Sequence, residues 1–176
     1  EDFLTSLVEL KHRGPDASGI YENDKKSLIL GHLRLSIIDL STNSNQPFFS
    51  KDNRFIIVYN GELYNFKEIK NDCKLQTQTT GDTEVILETY VQHGSNSFAW
   101  LNGMFAFAIY DIHENKLTLC RDRFGIKPLY YYFDGTIFAF ASELKALKKM
   151  KGLDLSLNAN VFPHFLHVGY IPFPET

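Results

Sequence analysis

The chain has 176 residues, a length that fits one domain able to bury roughly two-thirds of the surface its unfolded form exposes. Hydrophobic residues make up 44 % of it, with Phe 15 and Tyr 9, which excludes wholesale disorder. A net charge of -3 with dispersed Lys and Arg excludes a nucleic-acid-binding stripe and a polybasic grip on a membrane.

No stretch approaches the ~20 apolar residues of a membrane span. The opening Glu1-Asp-Phe-Leu-Thr-Ser-Leu7 has neither a basic leader nor a small-residue cleavage site. Two cysteines, Cys73 and Cys120, are too few for a disulfide framework and fit a reducing compartment, so a cytoplasmic protein is expected. The chain opens without Met, part-way into a helical pattern, and ends on Pro172–Thr176, so it reads as a segment of something longer.

In chain order, Phe3, Leu4, Leu7, Val8 and Lys11 keep helical spacing, and His12-Arg-Gly-Pro-Asp16 ends that helix. Leu28–Leu30 and Leu33–Ile38 read as strand, Asn43–Pro47 as loop, and Arg54–Tyr59 as the next strand, stopping at Asn60. Phe66–Ile69 is at most a helical turn. Asp82–His93 is a helix halted by Gly94, and Ser97–Asn102 a second, short one. Met104–Tyr110 is an unbroken apolar run that suits a strand covered on both faces, and Lys116–Cys120 is its partner. Leu129–Phe133 and Thr136–Ala141 flank an Asp134-Gly135 turn as a hairpin, and Ser142–Lys149 closes as a helix. A boundary is expected between Gly152 and Asn158, with a new helix starting at Leu157-Asn-Ala-Asn160. Strands arriving as antiparallel neighbours, with helices at the start, middle and end, predict an α+β fold. Two antiparallel sheets pack together in it, with helices outside.

The polar residues at strand ends and edges each have an ordinary explanation. Arg34, in His32-Leu-Arg-Leu-Ser36, suits a partly exposed strand or an ion pair. Asn60-Gly61 is a turn signal, and Asp82 before a helix is a cap. Taken together, one arginine, the acids Glu62 and Asp82, and one amide form an inventory for holding an α-amino acid. A guanidinium takes the carboxylate, carboxylates take the ammonium, and an amide takes a developing oxyanion.

Seven segments carry a family resemblance. They are His12-Arg-Gly-Pro-Asp16, His32-Leu-Arg-Leu-Ser-Ile-Ile-Asp39, Asn60-Gly-Glu-Leu-Tyr-Asn65, Gly81-Asp-Thr-Glu-Val-Ile86, Gly103–Asp111, Arg121–Tyr130 and Ala141-Ser-Glu-Leu-Lys-Ala-Leu147. In that order, over nearly the whole chain, the sequence resembles the glutamine amidotransferase domain of glutamine-hydrolysing asparagine synthetases. Those domains are N-terminal-nucleophile amidotransferases, and the resemblance implies their four-layer sandwich of two face-to-face antiparallel sheets between helices. It implies that residues 1–155 form a glutaminase domain. Residues 156–176 would be a linker and the start of an ATP-dependent synthetase domain, which the stretch from Asn158 also resembles.

The same resemblance implies roles. Arg34 would receive the carboxylate of L-glutamine, and Asp82 with Glu62 its ammonium. Asn60 and the Gly61 N–H would form the oxyanion hole. The family's nucleophile, a cysteine at the mature amino terminus ahead of the first helix, has no match here. Neither Cys73 nor Cys120 substitutes for it, because the mechanism uses the free α-amine beside the thiol as base. Residues 1–176 alone are therefore expected to be inactive. His12 and His32 are not spaced as a metal-ligand set. The loop Arg121–Lys127 has one glycine and lacks a phosphate cradle.

The expected activity is glutamine hydrolysis, with ammonia passed to a C-terminal domain that converts ATP-activated aspartate to asparagine. ATP and magnesium belong to that domain, with no cofactor or metal in this segment. A related synthetase with a polysaccharide or β-lactam acceptor, or a non-catalytic scaffold of the same fold, are the alternatives. Oligomeric state stays open, a homodimer included.

Overall fold

A computed structural model of the chain describes residues 2–156 and 158–171. The expectations for Leu157 and for Pro172–Thr176 lie outside the described residues. In chain order the elements are α1 (Asp2–Val8), β1 (Ala17–Glu22), β2 (Ile29–Arg34), β3 (Phe48–Phe49), β4 (Phe55–Leu63), α2 (Phe66–Asp72) and α3 (Asp82–His93). They continue with β5 (Gly103–Asp111), β6 (Lys116–Arg121), β7 (Tyr130–Phe133), β8 (Phe138–Ala141), α4 (Leu144–Leu147) and α5 (Phe162–Val168). Short 3-10 turns stand at Lys11–Arg13, Thr42–Ser44, Gly94–Trp100 and Ala159–Val161.

All strand pairing in these elements is antiparallel. The central sheet runs β3-β4-β5-β6, and β1-β2 and β7-β8 are separate hairpins. β4 and β5 are paired from Phe55 against Asp111 to Leu63 against Gly103. Side chains alternate across this ladder. Ile57, Tyr59, Leu63, Phe105, Phe107 and Ile109 pack on one face against Ile69, Val85 and Ile86 of α2 and α3. Ile56, Val58, Ala108 and Tyr110 pack on the other against Leu30 of β2 and Phe140 of β8. Each such large apolar side chain contributes about 1.5–3 kcal/mol on burial. α1 and α4 cover the far side of the hairpins, joined where the Ser6 hydroxyl donates to the Ala146 carbonyl at 2.7 Å. The layers therefore run helices, sheet, hairpins, helices. Two separate hairpins stand where the sequence suggests a continuous second sheet.

Four local differences from the sequence reading have physical causes. β1 has no clear signal in the sequence: Ala-Ser-Gly-Ile-Tyr-Glu carries little apolar alternation and is held as strand by its pairing with β2. The strand expected over Leu33–Ile38 ends at Arg34, because Ser36 N–H donates to Asp16 Oδ2 and Leu35 and Ile37 face solvent. β4 does not stop at Asn60 but runs on through Gly61 and Glu62 to Leu63, since β5 pairs with it the whole way. Phe66–Asp72 is a full helix rather than a turn, anchored by the buried Ile69. No helix among the described residues is long and apolar enough to cross a membrane.

Candidate active site

The site grows from the outer edge of β4. β3 covers that edge only at Ile56 and Ile57. Further along, Phe105 turns its own backbone toward β6, with Phe105 N–H donating to Asp122 Oδ2 at 3.2 Å and Asp122 N–H to Phe105 O at 2.8 Å. Alternation in an antiparallel ladder then turns Gly61, opposite Phe105, away from β5. Tyr59 and Leu63 present their backbone to the same edge, and side chains take it up. Tyr59 N–H donates to Gln46 Oε1 at 2.6 Å, His32 Nε2 donates to Tyr59 O at 3.0 Å, and Leu63 N–H donates to Asp82 Oδ2 at 2.8 Å. The Gly61 N–H between them meets no side-chain acceptor among the described residues. Glycine is required there by close approach, since a Cβ would collide with the Met104 carbonyl oxygen and the Phe105 backbone.

A pocket of about 470 Å³ opens over this edge, and Arg34, Asn60, Gly61 and Asp82 all line it. Glu62 is outside that lining. Its carboxylate is nonetheless near enough that its charge adds to the forces raising the Tyr59 pKa.

Arg34 is 8 % exposed and already engaged. Its Nη1 donates to Ser41 O at 2.6 Å and Asn45 Oδ1 at 2.8 Å, and its Nη2 donates to Asp39 O. A guanidinium carries five N–H donors, so two remain without a partner among the described residues. The Asp39 carboxylate ties the same loop to α3's approach, accepting from Ser41 N–H at 2.8 Å, Thr80 N–H at 2.9 Å and the Thr80 hydroxyl at 3.0 Å. Bonds from Ser41 and Thr80 hold its pKa well below the carboxylate range.

Asp82 is the first residue of α3 and does not cap it, Gly81 standing at the cap position. Its Oδ2 instead accepts from the Tyr59 hydroxyl at 2.7 Å and from Leu63 N–H. Burial, then the Asp82 charge, raise the Tyr59 pKa steeply, so the phenol stays a donor.

Three buried side-chain polar atoms have no hydrogen-bond partner among the described residues: Asn60 Nδ2, His32 Nδ1 and Ser44 Oγ. All three residues line this pocket. Ser44 sits close to Asp39 and helps lower its pKa without reaching good hydrogen-bond geometry. A buried donor left unpaired costs about 1–3 kcal/mol, so each such group calls for a physical reason. A second, mostly apolar cavity of about 700 Å³ lies between the two hairpins, over Val58, Ala106 and Ala108, and shares His32, Tyr59 and Asn60 with the first.

Sequence reasoning did not give His32, Asp39, Gln46 and Tyr59 these positions. Only Asp39, a carboxylate closing the apolar run Leu35–Ile38, left a usable signal. Cys73 and Cys120 pack against the core under α2 and β6, and burial pushes the Cys120 thiol up to about 11. In the charged loop, Arg121 donates to Lys127 O and Gly125 O at 2.7 Å each, and Asp122 accepts from the backbone N–H groups of Phe124, Ile126 and Lys127. Those charges fold the loop on itself.

Comparison with known proteins matches residues 1–176 to the family described as Glutamine amidotransferase domain. A putative glutamine-hydrolysing asparagine synthetase 2 of Methanocaldococcus jannaschii is 40 % identical over 94 % of this chain and 36 % of its own length. Asparagine synthetase B (glutamine-hydrolysing) of Escherichia coli is 42 % identical over 83 % of this chain and 28 % of its own. The chain thus spans about a third of the length of these relatives. Among solved structures, glutamine phosphoribosylpyrophosphate amidotransferase from B. subtilis, complexed with ADP and GMP, superposes with a TM-score of 0.68 at 25 % identity, over 81 % of this chain and 39 % of that one. The shared fold and the match along the full length agree: the chain belongs to the glutamine amidotransferase domain family.

Proposed function

We propose that the Arg34–Asn60–Gly61–Asp82 pocket binds L-glutamine for hydrolysis to glutamate and ammonia. One observation carries this most: the Asn60 amide N–H is buried and unpaired beside the outward-turned Gly61 N–H. Two donors side by side on one strand suit the oxyanion formed when a thiolate attacks an amide carbon. The two remaining guanidinium donors of Arg34 take the α-carboxylate. Asp82 Oδ1, with Glu62 beside it, takes the ammonium. The nucleophile and its α-amine base come from outside residues 1–176, and the apolar cavity between the hairpins suits a strand carrying them.

The ammonia goes to a synthetase domain in a longer, cytoplasmic protein, where ATP and magnesium activate aspartate. Support for that acceptor is the similarity to asparagine synthetases. The test is steady-state glutaminase kinetics of the full-length protein and its Asn60→Ala variant. A fall in kcat of ~10²–10³ at nearly constant KM is expected for loss of one oxyanion donor. An unchanged kcat rejects the assignment.

A further inference from the structure

His32 lies on β2, two residues before Arg34, and its ring reaches the backbone of β4 immediately before Asn60. The Tyr59 carbonyl is an acceptor only, so the ring nitrogen 3.0 Å from it, Nε2, carries the proton. A neutral imidazole then leaves Nδ1 bare, and Nδ1 is buried without a donor. Burial, aided by the nearby Arg34 charge and opposed by the Tyr59 bond, moves this histidine down to about 4. It stays neutral through the physiological range, with a fixed tautomer.

Among the described residues no strand covers the outer edge of β4 at Tyr59. Gln46 holds the N–H of that residue and His32 holds its C=O. The C=O belongs to the peptide that leads into Asn60, whose side-chain donor is unpaired and cannot fix its own direction. We propose that His32 is a positioning residue: by donating to the Tyr59 carbonyl it sets the tilt of the Tyr59–Asn60 peptide and so aims the Asn60 amide. The role rests on the oxyanion function proposed for Asn60. It differs from that of a general base, for which a weakly basic imidazole is poorly matched at neutral pH.

The test is glutaminase kinetics in the full-length protein with His32→Gln, His32→Asn and His32→Leu, alone and combined with Asn60→Ala. Gln places an N–H donor at the reach of Nε2, and Asn stops short of it. The expected result is a loss of ~10-fold or more in kcat for the Asn and Leu variants, with KM within about two-fold, and recovery to within about three-fold for Gln. Combined with Asn60→Ala, His32→Asn should add almost nothing, because both act through one donor. Additive losses overturn the proposal, as does a Gln variant no better than Asn. A mid-range limb of the kcat–pH profile that vanishes in all His32 variants also overturns it, by making His32 a proton carrier. If Asn60→Ala itself leaves kcat intact, the oxyanion assignment fails first and takes this proposal with it. If only the His32 variants are silent, the proposal fails alone. Thermal melts of His32→Gln and His32→Asn, both polar and smaller than histidine, check folding independently of turnover.

Discussion

The Tyr59 hydroxyl donates to Asp82 Oδ2 at 2.7 Å, joining the middle of β4 to the first residue of α3. The same oxygen accepts from Leu63 N–H, so two donors from one strand fix one carboxylate oxygen of a residue that lines the pocket, and Oδ1 has no partner among the described residues. Removing the phenol oxygen by Tyr59→Phe strips a buried carboxylate of one donor. Stability should fall by about 1–3 kcal/mol, and KM for glutamine should rise while kcat changes less. Urea denaturation and steady-state kinetics check both, and an unchanged KM would separate Asp82 from substrate binding.

Arg34 has two duties in this geometry, and its substitution should reveal both. Arg34→Ala removes donors from the Asp39 and Ser41 carbonyls and from Asn45 as well as the positive charge facing the pocket. We expect a stability loss of about 2–4 kcal/mol together with a steep rise in KM for glutamine. Lysine, without the planar fork, should restore the charge and little of the loop. A variant that keeps wild-type stability would show that the loop at residues 39–45 does not need the guanidinium.

Much of the fold can be read in the sequence. Met104–Tyr110 is apolar on both faces because helices cover one side of β5 and hairpins the other, and Asp82–His93 has its stop at Gly94, in positive φ. The extension of β4 past Asn60 could not be read. Asn, Gly and Glu disfavour strand locally, and only the pairing with Met104–Ala106 overrides them. The pocket residues Arg34, Asn60, Gly61 and Asp82 could be chosen by their chemistry. His32 and Gln46 could not, because their partners are backbone groups on a strand edge whose exposure depends on β3 being two residues long.

Glu143 gives a pH prediction. Burial acts to raise its pKa, but bonds from Arg13, Lys145 and His12 outweigh this and bring it to about 2. A carboxylate with a depressed folded pKa adds stability that is fully present above its unfolded value, near 4.5, and is lost as pH falls through about 2. The link joins the His12–Arg13 turn at the pocket rim to the approach of α4. Glu143→Gln should therefore melt earlier than wild type at pH 7, by an amount of order 2 kcal/mol, with the difference closing toward pH 2. A constant gap across that range would contradict the assignment.

In the proposed binding mode one pocket holds all of glutamine's polar ends. A crystal structure of the full-length protein with L-glutamate, the hydrolysis product, tests it most directly. The α-carboxylate should lie on Arg34 and the ammonium on Asp82. One side-chain oxygen should lie within hydrogen-bond distance of both Asn60 Nδ2 and Gly61 N. Glutamate bound elsewhere, or bound here with its side chain turned away from Asn60 and Gly61, would contradict it.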